Sequence, residues 1–71
     1  MTNSEMLMNR IRECGFTISQ FADEMGITRQ GLYKKIYNKS EFKQSEIEKS
    51  SRILKLNAKQ EKEIFFAAYV G

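Results

Sequence analysis

The side chains of this chain that could do chemistry are concentrated between residues 28 and 43, in the segment TRQGLYKKIYNKSEFK. The segment combines guanidinium, ammonium, amide and phenol groups, which suit binding better than catalysis. Residues 29–43 carry a net charge of +4, whereas residues 1–28 carry −2 and residues 44–71 carry +1. A cluster of cations favours a polyanionic partner such as nucleic acid, although an ordinary solvated face would have the same charge.

The rest of the composition argues against an enzyme. The chain has no histidine and a single cysteine, Cys14, so transition-metal sites and His-based catalytic triads lack their residues. One cysteine cannot form an intrachain disulfide, which suits a reducing compartment. The longest apolar run, residues 64–70, is too short to cross a membrane. We therefore expect a cytoplasmic, non-enzymatic protein that needs no cofactor and no metal.

Two short helices joined by a glycine are predicted to present the cationic segment. Thr17 and Gln20 have the spacing of a capping box, which begins a helix. Gly26 can adopt the left-handed conformation that ends it. Thr28 is placed to cap the second helix, whose inner face carries Leu32.

A helix pair that crosses at a steep angle needs a small residue at the contact, a turn glycine and apolar inner faces. Ala22, Gly26, Ile27 and Leu32 supply these in turn. In these positions, across residues 16–37, the chain resembles the Cro and lambda-repressor-like helix-turn-helix family. The resemblance implies an all-α, five-helix bundle and a small sequence-specific DNA-binding regulator. A helical bundle can also contain such a hairpin without binding DNA, and that alternative stays open.

The resemblance implies that the second helix enters the major groove and contacts base edges. Arg29 would then donate two hydrogen bonds to guanine, and Gln30 would pair with adenine. Tyr33 would contact a thymine methyl group or a phosphate, and Lys34 lies on the same face.

Phosphate contacts are expected from Thr28, Lys35 and Lys39. Such contacts position a protein on DNA without reading its sequence. The partner implied by both sets of residues is a double-stranded operator.

Two positions depart from the family pattern and suggest a protein partner as well. Ile18 stands where many relatives have a glutamine, and Gly31 lies inside the second helix, where it costs about 0.5–1 kcal/mol relative to alanine. Together with Tyr37, they could form a surface that binds a protein.

The last predicted helix has more apolar surface than one core can take. Phe66, Tyr69 and Val70 are therefore further candidates for partner binding. The alternative for Phe66 is that it folds back over the loop that contains Phe42.

The resemblance leaves two functions open. Temperate phages of Gram-positive bacteria have small helix-turn-helix proteins that either compete for operators, as Cro does, or modulate repression by binding the phage repressor protein. We expect the first, a Cro-like regulator of a lysis/lysogeny switch in the host cytoplasm, which could be a homodimer. The alternative is an antirepressor with weak or no DNA binding of its own, and a bacterial regulator or antitoxin of similar architecture comes third.

One domain is expected over residues 1–71, because no proline-rich or low-complexity linker interrupts the chain. Ser4 precedes the first helix and Gly15 closes it, while Ser45 with Glu48 and Asn57 with Gln60 have the spacing of further capping boxes. The five helices are predicted at about residues 5–14, 18–25, 29–37, 46–54 and 58–69.

Overall fold

The computed structural model of the protein describes residues 1–67, and every regular element within them is a helix. In chain order the α-helices are α1 (Ser4–Glu13), α2 (Ile18–Met25), α3 (Arg29–Ile36), α4 (Gln44–Ile53) and α5 (Ala58–Phe65). The predicted all-α fold with five helices is confirmed for this part of the chain. The longest of these helices has 10 residues, about half the length that a bilayer requires.

One hydrophobic core takes side chains from all five helices. Helix α2 packs on α3 and α4, while α5 packs on α1 and α4, and α1 also contacts α3. The core consists of Leu7, Ile11, Phe21, Ala22, Met25, Leu32, Ile36, Ile47, Leu54, Ile64 and Phe65. Burial of these side chains fixes which face of each helix turns to solvent.

The corner between α2 and α3 is built as predicted. The Thr17 hydroxyl accepts a hydrogen bond from the Gln20 N–H at 3.1 Å, and the Gln20 side-chain oxygen accepts one from the Thr17 N–H at 2.9 Å. Gly26 has a φ of 73° and ends α2 in the left-handed conformation. The Thr28 hydroxyl then accepts from the Gly31 N–H at 3.0 Å and begins α3.

Two helices begin at residues other than those predicted. Asn3, rather than Ser4, caps α1, because its side chain accepts from the Met6 N–H at 3.1 Å. The Ser45 capping box was wrong, since α4 begins at Gln44 and the Glu46 carboxylate accepts from the Lys43 N–H at 2.8 Å.

The prediction that α5 continues to residue 69 was also wrong, because it ends at Phe65 and Phe66 has a non-helical φ of −123°. The N-terminal segment forms hydrogen bonds with the backbone at the end of α5. The Ala67 N–H donates to the Met1 carbonyl at 3.1 Å, and the Ile64 carbonyl accepts from the Asn3 N–H at 2.7 Å. The last predicted residues of this helix lie outside the described residues.

Candidate nucleic-acid interface

The outer face of α3 is polar and cationic because its inner face is held in the core. Leu32 and Ile36 are 0% exposed and direct the opposite side of the helix outward. Arg29, Gln30 and Lys34 are exposed around the part of the helix that the core leaves uncovered. Within residues 28–37, the structure therefore brings the predicted base-contacting groups together on one surface.

Three side chains form a row along this surface, which we call the α3 row: Arg29, Tyr33 and Tyr37. The guanidinium carbon of Arg29 lies 5.8 Å from the centre of the Tyr33 ring, within the range of a cation–π contact. The rings of Tyr33 and Tyr37 are nearly parallel, at 9°, with centres 6.2 Å apart. The spacing of four residues places successive members one helical turn apart.

The charges of this face are available to a ligand. The ion pairs found within residues 1–67 join Arg10 to Glu13 and Lys35 to Glu46. Neither pair involves Arg29, Lys34 or Lys39, which stay exposed. Their positive charges are therefore not neutralised by a neighbouring carboxylate in this part of the protein.

Lys35 differs from its neighbours, because its ammonium group forms an ion pair and a hydrogen bond within the protein. It lies 3.1 Å from a carboxylate oxygen of Glu46 and donates to the Glu41 carbonyl at 3.2 Å. The Lys35 and Glu46 side chains are only 14% and 18% exposed. We therefore leave Lys35 out of the proposed phosphate contacts and assign it to the junction between α3 and α4.

The pKa of the Glu46 carboxyl clearly departs from its ordinary value. Burial acts to raise this pKa, but the hydrogen bond from the Lys43 N–H and the bond and charge of Lys35 outweigh burial. The pKa of Glu46 is therefore lowered, and the carboxylate is charged at neutral pH.

Lys39 projects from the turn that ends α3. The N–H groups of Lys39 and Ser40 both donate to the Lys34 carbonyl, at 2.8 and 3.1 Å. Asn38, between them and the helix, has a left-handed φ of 64°. This turn places an exposed ammonium group beyond the end of α3.

Asn38 also makes a long-range contact that the sequence did not predict. The Asn38 side chain accepts from the Thr2 N–H at 2.7 Å and donates to the Thr2 carbonyl at 3.0 Å. The only local signal for this residue was that asparagine tolerates positive φ better than other side chains do. We call this pair of hydrogen bonds the Asn38 clasp.

Three of the candidate residues for a protein partner that the structure describes, Ile18, Tyr37 and Phe66, have different surroundings. Ile18 is half-buried and packs against the core. Phe66 is also half-buried and lines a groove with Phe42, whereas Tyr37 lines a different groove beside α1. Tyr69 and Val70 lie outside the described residues.

Gly31 lies close to the residue that caps its own helix. A Cβ atom at this position would lie 3.0 Å from the Thr28 hydroxyl oxygen, so the cap would have to shift slightly to admit it.

Comparison with known proteins identifies this arrangement. Residues 2–37, about half of the chain, match the family described as bacterial regulatory protein, Fis family, and the matched stretch contains α1, α2 and α3. Comparison with individual curated proteins gives no match. The prediction of a helix-turn-helix regulator is confirmed at this level, with a Fis-type match where the sequence suggested a Cro-type one. The chain belongs to the Fis family of bacterial regulatory proteins and is a DNA-binding transcriptional regulator with a helix-turn-helix.

Proposed function

We propose that the protein is a sequence-specific regulator that reads an operator by placing α3 in the major groove of DNA. The observation that carries this proposal is the outward display of Arg29, Gln30 and Lys34 on a helix whose Leu32 and Ile36 are fully buried. The major groove is about 12 Å wide, which matches the diameter of an α-helix with its side chains.

The chemistry of the exposed groups supports separate roles in contacting bases and phosphates. The Arg29 guanidinium can donate two hydrogen bonds to the O6 and N7 atoms of guanine, and the Gln30 amide can pair with adenine. Tyr33 and Lys34 border them on the same face. The Thr28 hydroxyl accepts from Gly31 and still has its own proton to donate to a phosphate.

The finer assignment that we propose is a Cro-like role in a phage lysis/lysogeny switch. It is supported by the resemblance over residues 16–37, where Ala22 is 1% exposed and Gly26 has the left-handed turn conformation. A homodimer acting in this way would bind two half-sites about 34 Å apart, one turn of the duplex.

A second candidate function is a modulator that binds a phage repressor protein. Tyr37 favours it, because this ring is 53% exposed and exposed aromatic side chains are typical anchors of protein interfaces. In this case binding to DNA would be weak unless the repressor is present.

Binding to the intergenic DNA beside the gene, measured at two salt concentrations with and without the neighbouring repressor, separates these functions. Salt-sensitive binding by the protein alone supports the operator-binding regulator. Binding that requires the repressor supports the modulator.

The base contact has its own test. Replacing Arg29 with alanine is expected to cost about 1–3 kcal/mol on the preferred site and to relax the choice of one base. The control is Arg52→Ala, which removes the same charge from an exposed position on α4. Equal losses on the preferred site and on random DNA for Arg29→Ala would contradict the assignment.

A further inference from the structure

We propose that Tyr37 is a positioning residue for Arg29, which it orients through the ring of Tyr33. The inference rests on the proposed function, because it concerns how the base-contacting guanidinium is oriented. Tyr37 itself lies at the C-cap of α3, two helical turns from Arg29, and is not required to touch a base.

The α3 row gives the physical connection. An arginine side chain has many rotamers, and those that place the cation over an aromatic ring are favoured electrostatically. Tyr33 supplies that ring to Arg29 at 5.8 Å. A guanidinium already held in one region loses less conformational freedom when it binds guanine, so its contact is stronger.

Tyr33 is held in turn by Tyr37. Their rings are 9° from parallel and 6.2 Å apart, within the usual range for offset stacking. A change in the ring at position 37 therefore alters the rotamers open to Tyr33, and through Tyr33 those of Arg29.

The Tyr37 ring faces an open groove beside helix α1. The ring lines a shallow groove together with Met8 and Arg12 of α1, on the side of the molecule where α1 packs on α3. The α3 row therefore ends beside α1, a helix outside the helix pair.

The test begins with the preferred site of the wild-type protein, selected from a random DNA pool. Dissociation constants are measured for that site, for the same site with the Arg29-dependent guanine replaced, and for random DNA. Tyr37→Ala is expected to lower the preference for guanine by at most about two- to fivefold, the effect of losing the whole cation–π contact between Arg29 and Tyr33. Binding to random DNA should be unchanged, and Tyr37→Phe should restore the preference because it keeps the ring.

A double-mutant cycle assigns the effect to Arg29. In the Arg29→Ala background, Tyr37→Ala should cause no further loss of guanine preference. Equal losses by Tyr37→Ala on all three DNAs would overturn the proposal, because they would indicate a general effect on folding or docking.

An NMR measurement on the protein without DNA tests the positioning of Arg29 separately from the proposed function. The Arg29 side-chain protons should show an upfield ring-current shift in the wild type and in Tyr37→Phe, and a smaller shift in Tyr37→Ala. An unchanged shift in Tyr37→Ala overturns the positioning role. Absence of any base preference in the wild type overturns the proposed function and with it the role of Tyr37, whatever the NMR shift shows.

Discussion

At the first turn of α3, the hydroxyl of Thr28 lies so close to residue 31 that a glycine there avoids a short contact. The hydroxyl accepts from the Gly31 N–H at 3.0 Å, and a Cβ atom at residue 31 would lie 3.0 Å from the same oxygen. That separation is shorter than an ordinary carbon–oxygen contact. The stability that glycine costs a helix at this position is therefore offset in part, because a side chain here would press on the capping hydroxyl.

This link predicts a coupling between the two residues. Thr28→Ala should destabilise the protein by about 1 kcal/mol, because it removes the cap. Gly31→Ala should gain up to about 1 kcal/mol in the Thr28→Ala background, where no oxygen crowds the new methyl group, and less in the wild type. Urea unfolding of the four proteins measures the coupling, with Thr28→Ser as a control that keeps the oxygen. Equal effects of Gly31→Ala in both backgrounds would rule out the crowding.

The ion pair between Lys35 and Glu46 predicts a dependence of stability on pH. Because the folded protein lowers the pKa of Glu46, the stabilisation is complete above the ordinary glutamate pKa of about 4.3 and is lost as the pH falls through the lower, folded value. Glu46→Gln should flatten this acid limb of the unfolding free energy. Glu48→Gln, at an exposed position of the same helix, should leave it unchanged. An acid limb that Glu46→Gln does not alter would contradict the role of the pair.

At the scale of the elements, the N-terminal segment joins the ends of two helices that are far apart in sequence. The Asn38 clasp holds Thr2 at the end of α3, where the Ser4 hydroxyl also donates to the Ile36 carbonyl at 2.6 Å. At the end of α5, Asn3 donates to the Ile64 carbonyl. Residues 2–4 therefore connect the ends of α3 and α5 and help to set the orientation of α3.

Substitution of Asn38 separates the two roles of this residue. Asn38→Gly keeps the left-handed backbone but removes two hydrogen bonds, each worth about 0.5–1.5 kcal/mol. Asn38→Ala loses the same bonds and adds at least about 1 kcal/mol for a side chain at positive φ. Unfolding free energies should fall in the order wild type, Asn38→Gly, Asn38→Ala, and exchange of the Thr2 amide should accelerate in both variants. A wild-type exchange rate in Asn38→Gly would show that the clasp does not protect this amide.

The elements also show where sequence reasoning works. The corner between α2 and α3 could be predicted because each of its signals, from the Thr17 cap to the Gly26 turn, acts over at most five residues. The end of α5 and the fate of Lys35 could not, since they depend on partners 11 to 66 residues away, such as Glu46 for Lys35 and Met1 for Ala67. The outward direction of Arg29 followed from the burial of Leu32, whereas its contact with Tyr33 needed side-chain rotamers.

Over the whole molecule, positive charge is unevenly distributed along the sequence, and folding neutralises only part of it. Residues 29–43 have a net charge of +4, and the ion pair of Lys35 draws its compensating carboxylate from α4. Arg29, Lys34 and Lys39 are left exposed around the outer face and end of α3. A polyanion that approaches this side meets cations on both the helix and the turn that ends it. The electrostatic potential therefore favours the orientation in which α3 faces the DNA.

The salt dependence of DNA binding measures how many of these cations meet phosphates. Each contact contributes about 0.9 to the slope of log K against log salt, because it releases condensed counterions. Lys39→Ala should lower the steepness of this slope by about 0.9 on preferred and random DNA alike, since a phosphate contact carries no sequence information. Lys59→Ala removes the same charge from an exposed position in the first turn of α5 and should leave the slope unchanged. If both variants reduced the slope equally, DNA binding would depend on total charge. That result would contradict the proposal that the surface around α3 is the binding face.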